Sequence, residues 1–148
     1  MGTFSKALAS SGAYVSCSQK FKNFLIQSSK GFIYSTALSP FCIGVAQYNW
    51  NLLSSLSDIR NRLLLSAEKL REMLKGDGYS CVGCNTNIVP ILFDSTDDML
   101  KMHKKLKRAG IMTSAVRRPT SPTPRLRIAL NAQHSESDLE KLRSELSK

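Results

Sequence analysis

From Asn87 onward the apolar residues switch repeatedly between strand and helix spacing, and no other feature limits the fold as much. Residues 87–93 (NIVPILF) read as a strand, with Pro90 restricting it to an edge position or a bulge. Residues 96–109 follow helical spacing, with Met99, Leu100, Leu106 and either Met102 or His103 inward, and Gly110 closing the helix. Residues 111–116 and 125–130 read as further strands. In the second of these (RLRIAL) charged and apolar residues alternate, so Arg125 and Arg127 share one face and Leu126 and Ile128 the other. Ser135-Glu136-Ser137-Asp138 is a capping-box pattern for a last helix with Leu139, Leu142 and Leu146 inward. The order β-α-β-β-α predicts a small sheet with helices packed on one face.

The chain before this point is patterned otherwise. Residues 1–12 read as a loop rich in Gly, Ser and Ala, and 13–17 (AYVSC) as a short strand. Ser18 is placed to cap a helix with Phe21, Phe24, Leu25 and Ser28 on one face, ended by Gly31. Residues 32–35 (FIYS) are a second strand candidate. Pro40 suits a first helical turn, and residues 41–56 are apolar on most sides, which predicts a largely buried helix. Ser57-Asp58 caps a further helix with Ile59, Leu63, Leu70, Met73 and Leu74 on its apolar positions, stopped by Gly76-Asp77-Gly78. The change of character near Ser54–Ser57 predicts two parts, 1–56 and 57–148.

Charge narrows the partners. The 148 residues carry 21 Lys and Arg against 11 Asp and Glu, a formal net charge of +10. No acid stands between Asp98 and Glu136, while Lys101, Lys104, Lys105, Lys107, Arg108, Arg117, Arg118, Arg125 and Arg127 all fall there. Such a field favours anions: nucleic acid, phosphorylated ligands or a coenzyme with phosphates. No Phe, Tyr or Trp follows Phe93, so bases would have no stacking platform, and nucleic acid is not the expected partner. No apolar run reaches the roughly 18 residues of a membrane span, and Met1–Lys20 lacks the pattern of a secretory signal. The expected setting is cytoplasmic, with reduced thiols.

A few residues could carry chemistry. Lys6 follows Gly2-Thr3-Phe4-Ser5, small and hydroxylated residues that let a backbone come close to a phosphate. A lysine in such a loop can form an imine with an aldehyde, or be an ordinary surface lysine. Arg127 could grip a carboxylate with two parallel hydrogen bonds, or sit on a solvated strand face. Cys81-Val82-Gly83-Cys84 lacks the second ligand pair that a structural zinc needs, so no metal is expected. His103 and His134 have no Ser or Cys partner that would support a hydrolase triad.

Three segments, GTFSKALASSGAYVSC, FIYSTALSP and AVRRPTSPTPRLRIALNAQHS, stand in an order and spacing that resemble the α-oxoamine synthases. These are pyridoxal-phosphate enzymes of fold type I. Tyr34-Ser35-Thr36 and the AVRRPT segment favour the branch that condenses L-alanine with a pimeloyl thioester in biotin biosynthesis, over the glycine-using branches. The resemblance implies an α/β chain: the end of the large cofactor-binding domain over 1–56, and a small C-terminal domain over 57–148 with a short, mainly antiparallel sheet covered by helices. It implies that Lys6 holds pyridoxal 5'-phosphate as an imine and that Thr3 bonds its phosphate. Ser35 and Thr36 would reach the phosphate of a neighbouring subunit, which makes a homodimer part of the site. Thr120 and Arg117 would contact substrate, and Arg127 would bind the amino-acid carboxylate. The acyl carrier would be coenzyme A or a carrier protein.

Family members are much longer than this chain. The rest of the cofactor site would then lie in a preceding segment, with Met1 an internal methionine or the start of a shortened reading frame. Three expectations follow: weak cofactor binding and no turnover by the chain alone, exposed apolar faces at 21–26 and 41–50, and independent folding of 57–148. The alternatives are a glycine C-acetyltransferase-like relative, or a basic fragment without catalysis.

Overall fold

The structure is a computed structural model and describes residues 1–147. The chain divides into two compact units, Met1–Leu56 and Ser57–Lys148.

The first unit begins with a two-stranded antiparallel ladder, β1 (Gly2–Thr3) and β2 (Ala13–Tyr14), in which Gly2 faces Tyr14. A side chain at position 2 would collide with the Tyr14 ring, whose nearest atom is 2.6 Å from where a Cβ would stand. Helix α1 (Gln19–Ser28) starts as expected, with the Ser18 hydroxyl accepting from the Phe21 N–H. Two expectations fail immediately after it. Residues 32–35 do not form a strand, and Gly31 does not end α1. The helix stops at Ser28, and Gly31 lies inside a short helix α2 (Lys30–Ile33). The Ser29 carbonyl there accepts from the N–H groups of Phe32 and Ile33 at 3.0 and 2.9 Å. The β preference of Phe32-Ile33-Tyr34 expresses itself only when a neighbouring strand offers cross-strand packing, and no strand pairs with them here.

Helix α3 (Pro40–Leu52) has Pro40 in its first turn, as read from the sequence. It is not largely buried. Ala46 is its one buried residue among those described, while Phe41, Ile43, Tyr48 and Trp50 are exposed. A helix apolar on all sides needs neighbours all round. Within this unit α3 meets the β1–β2 hairpin through a few long-range contacts, detailed below.

The second unit contains nearly all of the packed core. Its sheet has the order β3-β5-β4, antiparallel throughout, from β3 (Ile88–Leu92), β4 (Ser114–Val116) and β5 (Arg125–Ala129). Leu126 and Ile128 of the central strand point to the buried face and meet Val89 and Ile91 of β3. Helices α4 (Ser57–Gly76), α5 (Thr96–Arg108) and α6 (Glu136–Ser147) cover that face with Ala67, Leu70, Leu74, Met99, Leu106, Leu139, Leu142 and Leu146. Pro90 sits on the edge strand. Its carbonyl points outward and accepts from the Val82 N–H, so the N–H that proline lacks costs no bond to β5. The capping box at α6 forms: the Ser135 N–H donates to the Asp138 carboxylate at 2.8 Å, and the Asp138 N–H to the Ser135 hydroxyl at 3.3 Å.

Arg71 was not read from the sequence as inward, yet it is only 1% exposed. One Nη donates to the Glu68 carboxylate, and the other to the carbonyls of Thr86 and Ile88 at 3.4 and 3.3 Å. It ties α4 to the segment that enters β3.

Surface ion pairs and caps hold four carboxyls below the usual carboxylate range: Asp77 through Arg143, Asp98 through Ser95 and Lys101, Glu136 through Lys69, and Asp138 through Ser135. A carboxyl lowered in the folded state contributes stability above its unfolded value, and that contribution is lost as pH falls through the folded value. The melting temperature of the second unit is therefore expected to be flat from neutral pH down to about 5 and to fall below about 4. A melting temperature that rises on acidification would contradict this assignment.

Candidate active site

Lys6 sits at the tip of the loop that joins β1 to β2, and the loop is held from several sides. Its ends are closed by the Phe4 N–H on the Gly12 carbonyl and the Ser10 N–H on the Phe4 carbonyl, both 2.9 Å. The Lys6 carbonyl accepts from the Ala9 N–H at 2.9 Å, in a turn where Ala9 has a φ of 46°. Gly12, with φ 110°, takes a conformation open mainly to glycine, and a Cβ there would meet Leu38 at 2.5 Å. Two side-chain bonds anchor the loop to α3: Ser10 Oγ to the Cys42 carbonyl at 2.6 Å, and Asn49 Nδ2 to the Leu8 carbonyl at 2.9 Å. Leu8 is buried, Phe4 stacks on Tyr14 with ring centroids 5.7 Å apart, and Tyr14 meets Trp50 edge-to-face at 5.9 Å.

The result is an exposed lysine on a fixed backbone. Lys6 has no acid partner among the described residues, and Thr3 is exposed on the same hairpin. The anchors Ser10 and Asn49 were not read from the sequence. A bond spanning 41 residues leaves no periodic signal.

Ser35 and Thr36 follow α2 and are exposed. The Ser35 hydroxyl donates to the Gly31 carbonyl, so it must rotate to serve a phosphate; Thr36 has no such bond among the described residues.

The other three candidates belong to the second unit. Arg127 lies mid-strand in β5, paired with Pro90 on one side and Ser114 on the other, on the sheet face opposite the helices. Arg125 shares that face and donates through Nε to the Thr123 carbonyl at 3.3 Å, whereas Arg127 is exposed with no ion pair among the described residues. Arg117 follows β4, and Thr120 lies in the loop to β5; both are exposed. Buried Ser121 shapes that loop, its N–H on the Arg117 carbonyl and its hydroxyl on the Thr123 carbonyl. Lys6 and Thr3 thus lie on the hairpin of the first unit, and Arg117, Thr120 and Arg127 on β4, β5 and the loop between them in the second.

Cys81 and Cys84 are free thiols, and burial pushes the Cys81 thiol up. No group of three or more metal-ligating side chains occurs among the described residues. No helix there is long and apolar enough to cross a membrane.

Comparison with known proteins defines the class. The chain belongs to the aminotransferase class I and II family, whose model matches residues 1–146. More narrowly, it is similar to the C-terminal portion of 8-amino-7-oxononanoate synthase-like α-oxoamine synthases. A Bordetella parapertussis protein provisionally named 8-amino-7-oxononanoate synthase is 41% identical over 144 residues, which cover 96% of this chain and 36% of that protein. The Gluconacetobacter diazotrophicus 8-amino-7-oxononanoate synthase is 37% identical over 148 residues, 99% of this chain and 37% of its own length. The crystal structure of the Francisella tularensis 8-amino-7-oxononanoate synthase superposes with a TM-score of 0.87 at 24% identity, over 98% of this chain and 43% of that one. A serine palmitoyltransferase structure described with a PLP internal aldimine superposes at 0.90 with 23% identity, over 99% and 38%. The fold is accordingly a fragment of the pyridoxal-phosphate fold type I, and the chain spans little more than a third of the length of the curated relatives it matches.

Proposed function

We propose that this chain supplies the lysine and the carboxylate-binding residues of a pyridoxal-phosphate-dependent acyltransferase. The reaction condenses L-alanine with a pimeloyl thioester, on coenzyme A or a carrier protein, and releases carbon dioxide and the carrier's free thiol to give 8-amino-7-oxononanoate. The observation that carries the reading is the anchored loop, whose Lys6 amine has no acid partner among the described residues, with Thr3 on the same hairpin. The 37% identity to the Gluconacetobacter enzyme across the whole chain supports this branch.

On this reading residues 1–56 end the large domain and 57–148 form the small one. Lys6 would hold the cofactor through its amine, with Thr3 on the phosphate and Ser35 and Thr36 on the phosphate of the partner subunit in a homodimer. Bound pyridoxal phosphate supplies an electron sink for the carbanion left when the α-proton departs. The residues of this chain do the remainder. Arg127 orients the amino acid by gripping its carboxylate with two parallel N–H bonds, a geometry that lysine cannot reproduce. The released Lys6 amine accepts the α-proton. Thr120 and Arg117 line the approach of the substrate.

The test is a chimera in which this chain replaces the matching segment of the Gluconacetobacter enzyme. It is expected to turn over alanine with a pimeloyl thioester in preference to glycine with an acetyl thioester. Arg127→Ala should lower kcat/KM for alanine by about 10- to 100-fold, mostly through KM, because a hydrogen-bonded charge contact is lost. Arg127→Lys should restore only part of it. Preference for glycine would move the reading to a sibling branch, and an Arg127→Ala variant with unchanged KM would remove that residue from the site.

A further inference from the structure

A cleft of about 200 Å3 lies between the first half of α4 and the segment joining β5 to α6. Its polar wall is Arg62, Ser66, Asn131 and His134, over an aliphatic floor of Ile59 and Leu63. No acid lines it, and the function proposed above uses none of these residues.

Hydrogen-bond accounting fixes what this wall can offer. The Asn131 side-chain oxygen already accepts from the Gln133 N–H at 2.9 Å, so its free group is the Nδ2 amide, a donor. His134 Nδ1 accepts from the Asn131 backbone N–H at 3.2 Å. A ring nitrogen that accepts carries no proton, so the ring proton is on Nε2, a second donor. Arg62 can only donate, and it has no ion pair or hydrogen bond among the described residues. Its neighbour Arg60, in contrast, donates to the Ser57 hydroxyl at 3.0 Å. Ser66 adds a hydroxyl that turns either way.

Asp58, one helical turn before Arg62, forms no ion pair with it among the described residues, and the two acids that follow His134 in the chain are engaged elsewhere. Glu136 is held by Lys69 at 2.6 Å. Asp138 is held by the N–H and hydroxyl of Ser135 at 2.8 and 2.7 Å, with His134 only a lesser influence on it. The cleft therefore presents donors from two separate elements to an acceptor-only ligand. A carboxylate is flat and is served by one guanidinium, whereas a tetrahedral oxyanion accepts from several directions at once. The volume lies below the roughly 300 Å3 at which pockets for drug-sized ligands begin, so the cleft fits one group and not a whole nucleotide. We infer that the cleft formed by Arg62, Ser66, Asn131 and His134 binds a phosphate group, free or as a simple monoester.

The two histidines of the chain make the test internal. His103 lies outside the cleft, with Nδ1 2.9 Å from the Thr113 hydroxyl. In the full 148-residue chain, acylation of each histidine by diethyl pyrocarbonate is followed by mass spectrometry at constant ionic strength, with chloride exchanged for inorganic phosphate. Phosphate is expected to slow acylation of His134 saturably and to leave His103 unchanged. Arg62→Gln should raise the half-effect concentration by about tenfold or more, the share expected of one charge-assisted contact. Arg60→Gln, which removes the same charge two residues away, should leave it unchanged. Glycerol 3-phosphate in a parallel series decides whether monoesters enter as well as the free ion, and saturable protection by either supports the site. Absence of any phosphate effect at His134, equal protection of His103, or equal losses in the two arginine variants would overturn it.

Discussion

Lys6→Ala in the Gluconacetobacter chimera is expected to abolish turnover, by at least about 1,000-fold, since one amine would serve both as the covalent anchor and as the acceptor of the α-proton. Lys6→Arg should lose as much. It retains the positive charge but has no nucleophilic amine at neutral pH, so the pair of variants separates chemistry from charge. Borohydride treatment should fix pyridoxal phosphate on the peptide that carries Lys6 in the parent chimera and on no peptide in either variant. The isolated 148-residue chain supplies a contrast. Its lysine and Thr3 are both exposed, so fixation there should be slow and should not saturate at low cofactor concentration. A Lys6→Ala chimera that still turns over, or a label found on another lysine, would displace Lys6 from the role proposed for it.

What the sequence made legible depended on whether the determining contacts were local. The capping box at Ser135 and Asp138, the inward leucines of α6 and the alternation of β5 are dictated within a few residues, and the structure has them as read. The segment 32–35 was misread because strand formation depends on a partner that local composition does not reveal. Arg71 could have been found. Ala67, Leu70, Arg71 and Leu74 form one stripe at helical spacing, and reading that stripe by position instead of polarity would have put the arginine inside. The site divides in the same way. The segment GTFSK marks the lysine through neighbouring residues, but the bonds from Ser10 and Asn49 that fix its loop join parts of the chain too distant for any pattern to show. The donor-only cleft at Arg62 was equally illegible, because it depends on which atoms of Asn131 and His134 are already occupied.

A chain cut to residues 57–148 is expected to remain monomeric and to unfold in one cooperative transition, whereas the full chain self-associates. The reason lies in where burial occurs. Among the described residues, every buried apolar one apart from Leu8 and Ala46 belongs to the second unit, in a single cluster that joins three helices to the sheet. A cluster closed on itself in this way is what a cooperative transition requires. The first unit has no comparable core. Phe21, Phe24, Phe32, Phe41 and Trp50 are between 47% and 78% exposed, an apolar surface of the kind that drives association in water. Leu126→Ala in the 57–148 fragment tests the core assignment. That side chain is fully buried on the central strand, and its truncation should cost about 2–5 kcal/mol. In a domain of this size that corresponds to a drop in Tm of about 10 °C or more. Sedimentation velocity and thermal melting of the three chains are the measurements. A fragment without a cooperative transition would place essential core contacts in residues 1–56, and a monomeric full chain that binds no hydrophobic dye would show that its aromatic faces are covered in solution.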